Sequence, residues 1–261
     1  MAFDPVTAVY GSIVGLSLGL TGGGGSILAI PILIYGLGIP MSQAVVISLL
    51  MVASIALFGA ARQSLAGNVD WRAAILFSIT GMIISPLVIY TAQGVNETLR
   101  LILFAVLMLF VSYKMAFSDK RNPASVTTHG PYQASVIKTA VGGASAGALS
   151  GFFGVGGGFI IAPLLTMIFT MPYRKAVSTS LAAIFLISTT ALAGAFVKEI
   201  AVDWSLFTQF VVGGLVGMLM GSTLVNIIPE RIAKIIFAAI TAMLAVYMLI
   251  DKIFIHQGGL S

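Results

Sequence analysis

Between Val6 and Ile255 the chain is a succession of eight apolar runs, and the longest polar stretch between them is the sixteen residues Ser118 to Gln133. A hydrocarbon core of about 30 Å takes about 20 apolar residues of helix, so a chain of this kind is built to cross a bilayer repeatedly. The runs are Val6 to Leu37, Ala44 to Ala61, Trp71 to Tyr90, Leu99 to Phe117, Ser135 to Met171, Ala176 to Val197, Trp204 to Ile228 and Ile232 to Ile255. Composition agrees, with 59% apolar and 8% charged residues among 261, where a soluble domain carries about a quarter charged. Too little is left outside the runs for a separate catalytic domain. The absence of cysteine excludes disulfides, thiolate metal sites and cysteine nucleophiles, and two histidines, His129 and His256, leave little for an imidazole metal centre. We therefore expect no enzyme, no cofactor and no metal. The net charge of +5 does not point to nucleic acid, because lysines and arginines between apolar segments are what membrane orientation requires.

The N-terminus lacks the basic cluster and small-residue cleavage site of a removable signal and reads as part of the first membrane segment. Two runs, the first and the fifth, are broken by glycines, and the linker 118–133 separates a first membrane repeat, 1–117, from a second, 134–261. At an offset of 132, Gly15 to Leu49 aligns without a gap on Gly147 to Leu181 with about a third of positions identical. Gly22 falls on Gly154, Gly24 on Gly156, Gly25 on Gly157, Pro31 on Pro163, Pro40 on Pro172 and Ser48 on Ser180. Val69-Asp70-Trp71 matches Val202-Asp203-Trp204 at 133. Paired, glycine-interrupted apolar segments in matching places of two halves point to the central site of a transporter.

The first run has 32 residues, about 48 Å as a straight helix, which overshoots the hydrocarbon core. If it crosses once, the halves are parallel and lysine plus arginine divide eight to five between the two sides. If each broken run is a hairpin that re-enters and returns, the halves are inverted and the charges sort ten to three. Arg62, Arg72, Lys114, Lys120, Arg121, Lys138, Arg174, Lys175, Arg231 and Lys234 then share one side, against Arg100, Lys198 and Lys252. The sharper division favours an all-α polytopic membrane protein of two inverted repeats, each a glycine-tipped re-entrant hairpin plus three transmembrane helices. Its basic side is expected in the cytoplasm and both termini outside, in the cell (inner) membrane. Trp71, Trp204, Tyr35 and Tyr173 read as interface residues.

The expected tips are Thr21-Gly22-Gly23-Gly24-Gly25-Ser26 and Gly154-Val155-Gly156-Gly157-Gly158. Irregular backbone at membrane depth is tolerated only where protein buries it or it lines a wet cavity. Helices starting after the tips would aim free N–H groups at an anion. Pro31 and Pro163, if already inside helix, would instead free the carbonyls of Ile27 and Phe159 for a cation, and if they begin the helix they free nothing. Basicity tilts the balance toward an anion. The regularly spaced Gly11, Gly15 and Gly19, Gly143, Gly147 and Gly151, and Gly213, Gly217 and Gly221 read as packing surfaces. Ser42, Gln43 and Ser48, and Ser178, Thr179 and Ser180, form polar strips after each hairpin; Ser48, Thr179 and Ser180 are the hydroxyls expected to bind substrate. Gln43, Arg62, Arg174 and Lys175 are expected at a cytoplasmic vestibule. All eight acids lie at segment ends or in linkers, so no proton carrier stands at mid-membrane. An anion leaving a negative interior gains about 2.3 kcal/mol per charge per 100 mV and needs no coupling ion.

The doubled GLTGGGGSILAIPIL and GFFGVGGGFIIAPLL, each followed by Pro and Ala-Val, together with Ala176 to Leu181, resemble the TauE/SafE family of sulfite and organosulfonate exporters. The first copy departs from the family pattern with Ile47 where Thr179 stands. The resemblance spans essentially the whole chain and implies export of sulfite or a sulfonate such as sulfoacetate. Uptake of the same anions and a non-transporting sulfur-handling or assembly factor are the alternatives. The expected partners are a small anion and the lipid bilayer, with a homodimer left open and nucleic acid excluded.

Overall fold

A computed structural model of the chain describes residues 5–92, 94–116, 135–195, 202–224 and 230–252. The linker 118–133, and with it Lys120 and Arg121, lies outside the described residues, as do Lys198, His129 and His256. Among the described residues ten helices follow one another: α1 (Pro5–Thr21), α2 (Gly24–Gly36), α3 (Met41–Leu65), α4 (Trp71–Ala92), α5 (Glu97–Ala116), α6 (Val136–Phe153), α7 (Gly158–Ile168), α8 (Tyr173–Ala195), α9 (Trp204–Leu224) and α10 (Glu230–Ile250). Among the described residues there is no strand.

Local chemistry sets these boundaries. Asp70 Oδ1 accepts the N–H of Ala73 at 3.0 Å, and Asp203 Oδ1 accepts those of Ser205 and Leu206 at 2.9 and 3.1 Å. These are side-chain N-caps at repeat-equivalent positions, each worth about 1 kcal/mol. Asn96 caps α5 through the N–H of Thr98 at 2.8 Å, and Pro40 and Pro172 stand just ahead of α3 and α8, where their missing N–H costs nothing. Both broken runs break at their glycines. Pro31 and Pro163 fall inside helix that is already running, with right-handed helical backbone from Leu28 through Ile32 and Pro163 the sixth residue of α7. A proline-started helix is therefore not what forms; α2 instead widens into a π turn from Ile32 to Gly36 immediately after its proline.

Six helices, α3, α4, α5, α6, α8 and α9, are long and apolar enough to cross a bilayer, making this a multi-pass membrane protein. One of them, α6, is an arm of a broken run, so span length alone does not separate hairpin arms from crossings. Along α4 the residues Ile75, Ile79, Ile83 and Leu87 are exposed, an apolar stripe suited to lipid. The central pair, α3 and α8, is the most buried.

Packing follows the glycines. Gly11, Gly15 and Gly19 of α1 meet Phe210, Gly214 and Met218 of α9 in that order, so the two helices run in the same direction along one seam. Gly143, Gly147 and Gly151 of α6 meet Phe77, Gly81 and Ser85 of α4 in the same way. A methyl group at Gly15 would lie 1.9 Å from the carbonyl oxygen of Gly214, and one at Gly147 would lie 2.4 Å from that of Gly81. Gly213, Gly217 and Gly221 complete the first seam against Ala8, Ser12 and Leu16. Lipid supplies no hydrophobic drive between helices, so such close backbone approach is how they cohere. Each seam joins a helix of one half to a helix of the other, and the repeat offsets carry one seam onto the other.

The repeat-equivalent helices α3 and α8 run in opposite directions. Gly59 of α3 lies against Leu181 of α8, whereas Val52 and Ser188 come together at Gly156. Helix α9 runs with α3, through Ile55 on Gly214, Met218 on Gly59 and the Arg62 to Ser222 hydrogen bond. Helix α4 runs with α8, through Ile187 on Gly81, Ser85 on Thr190, and Pro86 and Ile89 on Gly194.

Candidate functional site: two glycine turns that meet inside the bundle

Helix α1 ends at Thr21 because Gly22 and Gly23 take φ of 66° and 127°, which residues with a Cβ reach only with strain. The turn is finished by its own side chains. Thr21 Oγ1 donates to the Ser17 carbonyl at 2.7 Å and accepts the Gly25 N–H at 3.2 Å, while Ser26 Oγ donates to the Gly23 carbonyl at 2.7 Å. The second turn has Gly154, Gly156 and Gly157 at φ of 74°, 69° and 66° and no hydroxyl of its own, and α7 begins at Gly158.

The turns touch. A methyl group at Gly23 would lie 2.6 Å from the carbonyl oxygen of Gly158. Each turn also presses on the opposite half's central helix, Gly22 on Val177 of α8 and Gly154 on Val45 of α3. These two pairs are equivalent under the repeat. Every residue from Thr21 to Ser26 and from Gly154 to Gly158 is buried. Gly25 faces inward on its own hairpin, against Ser17 and Leu18, and Gly24 faces Thr21 and Phe237. The positive ends of α2 and α7 start at this junction and suit negative charge, while the prolines inside both helices deny the carbonyls of Ile27 and Phe159, in the first turn of each, their usual N–H partner.

The hydroxyls around the junction differ. Ser180 Oγ is in hydrogen-bond reach of the carbonyls of Gly22 and Val177, so it ties α8 to the first turn. Its equivalent, Ser48, is fully buried with no partner for Oγ. Val45, Ser48 and Val52 share one face of α3, and that face carries the second turn from Gly154 to Gly156. Thr179 Oγ1 accepts the Asp70 N–H at 3.0 Å at the start of α4, a bond that uses its acceptor side and not its O–H.

Among the expected vestibule residues, Arg62 donates to Ser222 Oγ, Lys175 Nζ lies 3.6 Å from Asp70 Oδ2, and Arg174 is exposed. Gln43 does not join them. It stands in the first turn of α3 and Arg62 in its last, about 28 Å apart at 1.5 Å per residue, so the two do not share one mouth. Spacing placed Gln43 by its nearness to the hairpin in sequence, whereas the helix carries it to the other end.

Two residues were not singled out by the sequence. Ser188 Oγ, fully buried and without a partner, is 2.9 Å from where a Gly156 methyl would be; its repeat equivalent is Ala56, so the duplication does not flag it. Arg100, in the first turn of α5, is only 4% exposed, and its Nη2 donates to the carbonyl of Phe152, two residues before Gly154. No spacing rule connects these two positions. Among the described residues no cluster of acids and histidines could hold a metal.

A multi-pass helical bundle with two broken segments meeting in its interior has the build of a membrane transporter. The family model described as sulfite exporter TauE/SafE matches residues 7–248, and the chain belongs to that family. It is 32% identical to a "Probable membrane transporter protein" of Xylella fastidiosa (strain 9a5c) over 94% of each chain. It is also 26% identical to "Probable membrane transporter protein YdhB" of Bacillus subtilis (strain 168), over 85% of this chain and 90% of that one. No solved structure matches the chain.

Proposed function

We propose that this protein exports a small sulfur-containing anion, sulfite or an organosulfonate such as sulfoacetate, through a site between the two glycine turns. The observation that carries the reading is the contact of Gly23 with Gly158, which sets two helix starts against one another inside the bundle. On this reading the halves are inverted repeats with re-entrant hairpins. The opposed directions of the equivalent helices α3 and α8 support it, as do seams that exchange under the repeat. So does the sorting of charge. Arg62, Arg72, Lys138, Arg174 and Lys175 stand at the α3 end and at the α4, α6 and α8 starts, and Arg100 and Lys252 at the α5 start and beyond the α10 end. The basic side faces the cytoplasm of a cell whose inner membrane the protein spans, with both termini outside.

Flux of labelled sulfite and sulfoacetate from proteoliposomes, under a membrane potential of either sign, tests the function. Saturable efflux that follows the potential and is lost in a folded Gly24→Ala, Gly156→Ala double variant is expected. Flux that runs only inward would make the protein an uptake system, and no flux at either polarity would remove transport of these anions. The inverted arrangement has its own test, because the chain has no cysteine. In whole cells an impermeant maleimide should label Ser205→Cys and spare Arg72→Cys until the cells are permeabilised; labelling of both or neither contradicts inversion.

A further inference from the structure

We propose that Arg100 is the charge-selecting residue of the anion pathway, holding the anion at the second turn on the α5-start side, with Ser48 and Ser188 as its hydroxyl ligands deeper in. This rests on the export reading above. A guanidinium inside a membrane helix is costly unless paired, and such residues face a partner or a pathway. Arg100 is 4% exposed and forms no ion pair among the described residues, the carboxylate whose charge reaches it being that of Glu97. Glu97, one turn back on α5, accepts the Met41 N–H at 2.9 Å. The Phe152 carbonyl takes one donor from Arg100, as a last-turn carbonyl commonly does from a basic side chain. The Phe152 ring lies 5.5 Å from the guanidinium carbon. That leaves Nε buried without an acceptor, and a helix-capping role does not use it.

The surroundings form a sequence of stations along one face of α3. Met41 meets Glu97, Val45 meets Gly154, Ser48 has a free buried hydroxyl, and Val52 meets Gly156 beside the free hydroxyl of Ser188. Three unsatisfied donors thus border a turn that opens the 11-residue helix α7, and among the described residues no carboxylate is hydrogen-bonded to them. A guanidinium presents a planar fork that matches two oxygens of one group. Sulfite and sulfonates carry such oxygens, whereas chloride does not.

The test is anion-dependent thermal stabilisation of the purified full-length protein, titrated with sodium sulfite, sodium sulfoacetate or sodium chloride. Wild type should be stabilised by the sulfur anions and not by chloride. Arg100→Gln should weaken that response at least tenfold, Arg100→Lys should keep part of it, and Ser188→Ala should weaken it several-fold. If wild type responds and Arg100→Gln responds at the same concentrations, this inference is overturned and the export reading stands. No response of wild type to either sulfur anion would overturn both. Should Arg100→Gln not fold, Arg100→Lys decides: an unchanged midpoint contradicts the proposal, and a several-fold weaker one supports it.

Discussion

At the first glycine turn the hydroxyls of Thr21, Ser26 and Ser180 are all engaged with backbone, whereas around the second Ser48 and Ser188 are buried with nothing to bond. The two turns lie in segments that align in the sequence, and each presses on the aligned valine of the other half, Gly22 on Val177 and Gly154 on Val45. A buried hydroxyl without a partner costs about 1–3 kcal/mol, so the second turn carries an energetic debt that the first has discharged. The contrast separates a turn that is locked from one that has donors to offer.

The helix seams, by contrast, are alike in both halves, and they should respond alike and most strongly. Gly15→Leu and Gly147→Leu each force a side chain into facing backbone. Each should cost about 3 kcal/mol or more and prevent recovery of folded protein, as judged by thermal unfolding in detergent; tolerance of either would break the seam assignment. At the turns the two halves should part. Gly156→Ala adds a Cβ at a φ of 69°, about 1–2 kcal/mol of strain, and crowds Ser188, so anion flux should fall at least tenfold. Gly24→Ala has no positive φ to oppose it and chiefly disturbs the Thr21 cap, and its flux should fall less. Equal losses would remove the distinction.

The serines give a finer comparison. Ser180→Ala deletes the tie to the Gly22 carbonyl and should destabilise by about 1 kcal/mol. Ser48→Ala removes a hydroxyl with no partner and should leave stability unchanged or raised, while slowing transport. The smallest effect belongs to Lys175→Met, which deletes a half-exposed ion pair with Asp70 and should change stability by less than about 1 kcal/mol.

Much of this fold was legible in the sequence. The apolar runs locate the helices to within a few residues, the glycine clusters mark both breaks, and the spaced glycines mark the seams, because each follows from local chemistry or from periodicity. The proline question was decided only in three dimensions, since a proline's effect depends on whether helix precedes it. Partners distant in sequence were not legible. Arg100 reads as an ordinary segment-end charge until Phe152, from the other half, is seen against it. Thr179 reads as a ligand, and only the fold shows its Oγ1 accepting the Asp70 N–H. Ser188 has no repeat mate to draw notice, and Gln43 was placed by sequence distance when helix direction governs.

The measurement that tests the central claim most directly is the current produced when sulfite is added to proteoliposomes on a solid support, with no sodium gradient and no pH gradient. Movement of an anion on its own predicts a transient of negative charge that saturates with sulfite, is absent with chloride, and is lost in Gly156→Ala. A current that appears only when a sodium or proton gradient is supplied, or that ignores sulfite, would contradict the account.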